Sequence, residues 1–178
     1  MKLRRRIITA LFAALLCILA PLSVPVGAVP ISMGSFCVAV LALITGRRCT
    51  MMAILLYVAL GAVGLPVFAG FTGGGHVLVG PTGGYLFGYI PMALVISAVS
   101  GKRPSAVREV LGLIAGQMVC YGFGVVWYVF CANVPISAAI AVGVLPFLLF
   151  DAVKIAAAEA LNLALGKRIR ALICEEER

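Results

Sequence analysis

Long apolar runs separated by short polar breaks dominate this chain. Apolar residues fill positions of about 7–22, 31–46, 49–64, 82–100, 106–131 and 136–166. A helix needs around 20 such residues to cross a hydrocarbon layer ~30 Å thick, so the second and third runs are short for a crossing. In the last run Gly143 and Pro146 predict a break, with a short outer piece at 136–143 and a spanning helix at 146–166. Proline suits the first turn of a helix, where its missing N–H would have no partner anyway. The expected fold class is an all-α integral membrane protein, six transmembrane helices forming a single membrane domain over residues 1–178.

The polar breaks orient this bundle. Lys2, Arg4, Arg5 and Arg6 precede the first run; Arg47 and Arg48 separate the second from the third. Lys102, Arg103 and Arg108 separate the fourth from the fifth, and Lys167, Arg168, Arg170 and Arg178 follow the sixth. The alternate connections at 23–30, 65–81 and 132–135 hold no Lys or Arg. Such asymmetry predicts cytoplasmic termini and an even number of crossings. Residues 1–28, ending in Val26-Gly27-Ala28, have the outline of a secretory signal, but removing them would leave an odd number of crossings. They are read as the first helix.

Composition agrees: 63% of the residues are hydrophobic, 11% are charged and the mean hydropathy is +1.18. A soluble domain of this balance would lack the polar surface to cover its core. The net charge of +8 is then a topology signal, and nothing else in the chain points to nucleic acid.

Charge inside the apolar runs is rare, which makes Leu145 to Lys154, LPFLLFDAVK, informative. Asp151 and Lys154 stand three residues apart and share a helix face. An acid or a lysine at mid-membrane costs about 2.5–3.5 kcal/mol on insertion scales, so such groups are paired or functional. Two readings stand: an internal ion pair that neutralises itself, or a site for a polar, anionic small molecule open to the outside. Glu159, further along the same run, faces either the cytoplasmic half of a cavity or a partner subunit.

The stretch Gly61 to Tyr89, GAVGLPVFAGFTGGGHVLVGPTGGYLFGY, cannot hold an ordinary helix because of its glycines and of Pro66 and Pro81. Yet it keeps membrane-like residues such as Phe68 and Phe71. Irregular backbone at membrane depth survives only where protein or a cavity satisfies its N–H and C=O groups. The segment is read as an outer loop folded over the helices, with Thr72 or Thr82 hydroxyls and free backbone donors available to a pocket. His76, the sole histidine, reads as a capping side chain, and no metal-ligand set is present. Tyr85 and Tyr89 read as interfacial anchors, Tyr85 being also placed to wall a pocket. Trp127 reads as an outer-belt anchor, and Gln117 sits at mid-depth. The cysteines at 17, 37, 49, 120, 131 and 174 follow no CxxC spacing and read as small apolar fillers. GKRPS at 101–105 lacks the upstream glycine and the Ser/Thr directly after Lys102 of a nucleotide P-loop. Ala10 and Ala14 form a small-xxx-small pair that allows close approach of another helix.

Taken together, GLPVFAG, GPTGGYLFGY and LPFLLFDAVK resemble the signature segments of BioY, the biotin-specific substrate-binding (S) component of energy-coupling factor (ECF) transporters. The resemblance covers nearly the whole chain. It implies capture of biotin at the outer face and delivery inward through a multi-pass protein of a prokaryotic plasma membrane. It also implies partners, a transmembrane coupling subunit docked on Ala10 and Ala14 and two ATPase subunits, with no cofactor of its own. The ligand contacts it implies are Asp151, Lys154, Tyr85, Thr72, Gly73 and Gly74. An intramembrane hydrolase is disfavoured, since the apolar runs hold one Asp, no nearby His and no HExxH. The remaining alternative is a self-sufficient proton-coupled secondary transporter or channel for a small anionic metabolite, with Asp151, Lys154 and Glu159 as a relay.

Overall fold

The computed structural model describes residues 3–25, 29–101, 105–166 and 168–170. Lys2, Val26-Gly27-Ala28, Lys102, Arg103, Lys167, Cys174 and Arg178 lie outside the described residues.

Helix α1 spans Leu3–Leu19 and leads into a short antiparallel ribbon. In it β1 (Ser23–Val24) pairs with β2 (Ile31–Ser32), Ser23 opposite Ser32 and Val24 opposite Ile31. Helices α2 (Gly34–Ile44) and α3 (Arg47–Ala62) follow. The glycine-rich segment then forms a 3-10 turn at Ala69–Phe71 and a short helix α4, Gly75–Val79. Helices α5 (Gly83–Ser100) and α6 (Ala106–Ala132) come next. Last are α7 (Ile136–Gly143), α8 (Leu145–Leu161) and a π-helical turn at Asn162–Gly166. The helices Gly83–Ser100 and Ala106–Ala132 and the stretch Ile136–Gly166 are long and apolar enough to cross a membrane.

Helix α2 is shorter than the apolar run that encodes it. Ile31 and Ser32 are taken by the ribbon, and Gly46, at φ 75°, turns the chain before α3. Its 11 residues rise ~16 Å at 1.5 Å each. Every residue from Cys37 to Ile44 is buried, and α1, α3, α5, α6 and α8 all pack against it. Apolar on every face, α2 is here covered by protein rather than lipid, and it is the core of the fold.

Helices α5 and α6 approach closely because glycines leave room for the facing side chains. A Cβ at Gly116 would lie 2.6 Å from Cγ1 of Ile96, and one at Gly84 would lie 2.2 Å from Cβ of Trp127. In this slot Trp127 sits half-buried. The indole packs on α5, and its N–H donates to the Gly80 carbonyl at 3.0 Å. Tyr89, read as an interfacial anchor, does not face lipid. It is buried over Gly34, with its hydroxyl 3.5 Å from that of Ser32.

The glycine-rich segment is tied down rather than free. The Gly70 N–H donates to the Pro21 carbonyl at 3.0 Å and the Gly74 N–H to that of Gly61 at 2.7 Å. Phe68 is fully buried and meets Tyr57 edge-on, with ring centroids 5.5 Å apart. The segment thus closes over α3 and the end of α1, meeting the requirement that irregular backbone find its partners inside the protein.

Candidate ligand-binding site

The site is built on the break between α7 and α8. Val144 leaves helical geometry, and α8 restarts with Pro146 in its first turn. Asp151 and Lys154 then fall on one face, with Lys154 Nζ 2.9 Å from Asp151 Oδ1. Both are withdrawn from solvent, at 5% and 12% side-chain exposure.

Each charge has further partners on other helices. Asp151 Oδ2 accepts from Gln117 Nε2 at 2.7 Å and from the Tyr121 hydroxyl at 2.5 Å. Gln117 and Tyr121 are four residues apart on α6 and share a face. Lys154 Nζ donates to the Ser32 carbonyl at 2.7 Å and to Ser35 Oγ at 3.3 Å. Asp151 Oδ1, by contrast, lies close enough to Nζ to form an ion pair but receives no hydrogen bond of acceptable angle. That oxygen keeps acceptor capacity inside a low-dielectric site, where an unmet acceptor is costly.

The pair opens onto a cavity of about 370 Å³. Gln117, Tyr121, Ser32 and Ser35 surround its polar end, while Tyr57, Phe68, Leu86 and Phe147 supply apolar wall. Tyr85 stacks on Phe147 with centroids 6.2 Å apart and planes 10° from parallel, and Tyr121 meets the same ring edge-on at 6.4 Å. The Tyr85 hydroxyl donates to the Gly143 carbonyl at 2.9 Å, which pins the ring across the α7–α8 break. Gly124 makes the slot for it, since a Cβ there would lie 2.2 Å from the ring. A carboxylate and an ammonium at one end of an aromatic chamber suit a guest with both N–H and C=O groups on an apolar body.

Among the residues singled out from the sequence, the structure brings Asp151, Lys154, Tyr85 and Thr72 onto this cavity. Thr82 and His76 line it as well. The Thr72 hydroxyl is engaged within its own loop, donating to the Ala69 carbonyl at 3.0 Å. Gly73 and Gly74 are not among the lining residues and act on the loop's path instead. A Cβ at Gly73 would lie 2.1 Å from the Leu65 carbonyl oxygen, and Gly74 has φ 102°. His76 does not cap α4, whose start carries no side-chain cap. Ala10 and Ala14 are exposed on α1 beside Ile7, Leu11 and Ile18, whereas Ala13 and Leu16 face the core. No disulfide joins the described cysteines, and among the described residues no cluster could hold a metal ion.

Sequence reasoning missed Gln117, Tyr121, Ser32 and Ser35 as the partners of the two charges. The only signal was the four-residue spacing of Gln117 and Tyr121 within the apolar run of α6, and Ser32 and Ser35 had none.

A second buried polar cluster lies further along α8. Glu109, Glu159 and Asn162 are all buried, and Glu159 faces Glu109, Asn162 and Arg170. Arg170 Nη2 donates to Glu109 Oε1 at 3.0 Å and to Asn162 Oδ1 at 2.5 Å. Neither Glu159 oxygen meets hydrogen-bond geometry. None of these residues lines the cavity beside Asp151.

Comparison with known proteins extends to the whole chain. Its sequence matches the BioY family over residues 1–171. It is 41% identical to the biotin transporter BioY of Thermotoga maritima, over 93% of this chain and 97% of that protein. It is 36% identical to the biotin transporter BioY2 of Lactococcus lactis subsp. cremoris, over 96% of this chain and 93% of that protein. Its fold superposes on a crystal structure of the S-component for biotin from an ECF-type ABC transporter with a TM-score of 0.80. That match covers 97% of this chain and 94% of the other at 22% identity, so it speaks for the fold alone. With the family match running through every element that builds the cavity, the chain belongs to the BioY family.

Proposed function

We propose that this chain is the biotin-binding S component of an ECF-type importer, a transport protein and not an enzyme. The observation that carries the reading is the Asp151–Lys154 pair at the polar end of the aromatic chamber. Biotin's ureido group has two N–H donors and one carbonyl on an apolar bicycle. Asp151 Oδ1, left with acceptor capacity, takes a ureido N–H, and Lys154 meets the ureido oxygen or the carboxylate. Tyr85, Phe147 and Tyr121 cover the bicycle. The segment with Thr72, Gly73 and Gly74 closes over the ligand, Thr72 by contact and the two glycines by shaping the backbone.

The rest of the proposal is topological. Six crossings with both termini in the cytoplasm form one membrane domain in a prokaryotic plasma membrane, and the cavity opens outward. The exposed Ala10 and Ala14 face receives the coupling subunit, to which two ATPase subunits attach.

Calorimetric titration of the purified chain with biotin tests the site. Asp151→Asn and Lys154→Met should each weaken binding on the order of a hundredfold or more, because each leaves its buried partner uncompensated. Unchanged affinity in both variants removes the assignment. Uptake measured with and without the coupling and ATPase subunits tests the role. Full uptake by the chain alone that collapses with a protonophore would assign a secondary transporter instead.

A further inference from the structure

A second recess lies toward the start of α3, whose end carries the glycine-rich segment, among α1, α3 and α5. It is an open groove of about 1240 Å³ bounded by Arg6, Arg47, Arg48, Met51, Met52 and Leu56, with Thr9 and Leu94 completing it. Four features of it call for an anion with an apolar tail. The arginines converge from two helices, and all three are exposed. No carboxylate among the described residues pairs with them: Glu109, Asp151 and Glu159 all stand on α6 and α8. Arg47 and Arg48 also occupy the first turn of α3, which has no acidic residue and no side-chain cap. Cations are unfavourable at that end of a helix, whose free N–H groups attract negative charge. Next to this positive corner Met52 and Leu56 are 48% and 46% exposed, so the groove continues as apolar surface along α3. An arginine fork matches phosphate geometry, and basic recesses between membrane helices suit lipid head groups.

We infer that the groove among α1, α3 and α5 binds an anionic phospholipid, with its phosphate held by Arg6, Arg47 and Arg48 and an acyl chain along Met52 and Leu56. The pocket does not depend on which ligand the chain transports. A diffuse excess of positive charge would orient the protein in the membrane equally well without gathering around one recess three arginines that no carboxylate among the described residues pairs.

Native mass spectrometry of the purified full chain tests this. The chain is released from vesicles of equal parts phosphatidylglycerol and phosphatidylcholine. Phosphatidylglycerol should be retained over phosphatidylcholine by roughly tenfold or more, given about fivefold per arginine at a membrane surface. R6Q/R47Q/R48Q should bring that ratio close to parity, and the milder R47Q/R48Q should lower it severalfold. R108Q/R168Q, which removes two arginines outside the groove, should leave it intact. Biotin titration reports whether each variant is folded. On the unmodified chain, phosphatidylglycerol should also raise the melting temperature more than phosphatidylcholine does. Parity in the unmodified chain overturns the inference, as does an equal loss in R108Q/R168Q. So does an intact lipid ratio in R6Q/R47Q/R48Q, and lost co-purification of the coupling subunit in that variant would then make the groove a protein dock.

Discussion

Helix α8 carries two buried polar clusters, and they differ in one respect that separates a binding site from a fastening. Near its start, Asp151 and Lys154 are held by groups from α2, α6 and the ribbon and adjoin the aromatic cavity. About 12 Å further along at 1.5 Å per residue, Glu159 stands with Glu109, Asn162 and Arg170, away from that cavity. Both clusters are desolvated, and both draw residues from α6 and α8. The first adjoins a chamber large enough for a small molecule, with Asp151 itself part of the wall. The second spends its arginine on linking the α6 start to the residues after α8. Buried charge in a membrane protein therefore marks a site only when space adjoins it; without space it fixes the relative position of helices.

Exchanging perturbations between the clusters tests this contrast. The largest effect expected is on the first, where Asp151→Asn should reduce biotin affinity by about 3 kcal/mol in calorimetry while the chain stays folded. At the second, Arg170→Met should lower stability by about 1–3 kcal/mol, seen as a lower melting temperature. Its biotin affinity should stay within about twofold, since the clusters share no partner. A hundredfold loss of affinity there would break the distinction. Gly124→Ala sharpens it from the cavity side: the added methyl displaces the Tyr85 ring, which should cost about 1–3 kcal/mol of stability and weaken biotin binding about tenfold. The smallest effect belongs to Glu159→Gln. Neither oxygen has a hydrogen-bond partner in the described structure, so the neutral amide should leave affinity unchanged and shift stability by no more than about 1 kcal/mol.

Much of the site was legible because its chemistry is local. Asp151 and Lys154 sit on one helix at a spacing that any helix converts into contact, and their rarity in an apolar run flags them. Tyr85 follows directly on the glycines that end the loop, which places it at the cavity edge. Long-range partners were not legible. Gln117 and Tyr121 reach Asp151 only because α6 lies beside α8, and Ser32 reaches Lys154 only because the ribbon shortens α2. The slot that half-buries Trp127 was not legible either, since Gly84 makes it from a different helix. Gly73 and Gly74 carry a backbone path, and composition alone does not distinguish that from ligand contact.

From its sequence alone this chain had to be a helical membrane protein, with an acid and a lysine that could not remain apart in the hydrocarbon region. Those are consequences of transfer energies and of helical periodicity, both properties of single segments. Which buried charges open onto a cavity, and which helices complete their coordination, was decided by packing. The all-apolar α2 fills the centre and the glycines of α5 and α6 set how closely the outer helices approach. Neither distance exists until the helices are assembled.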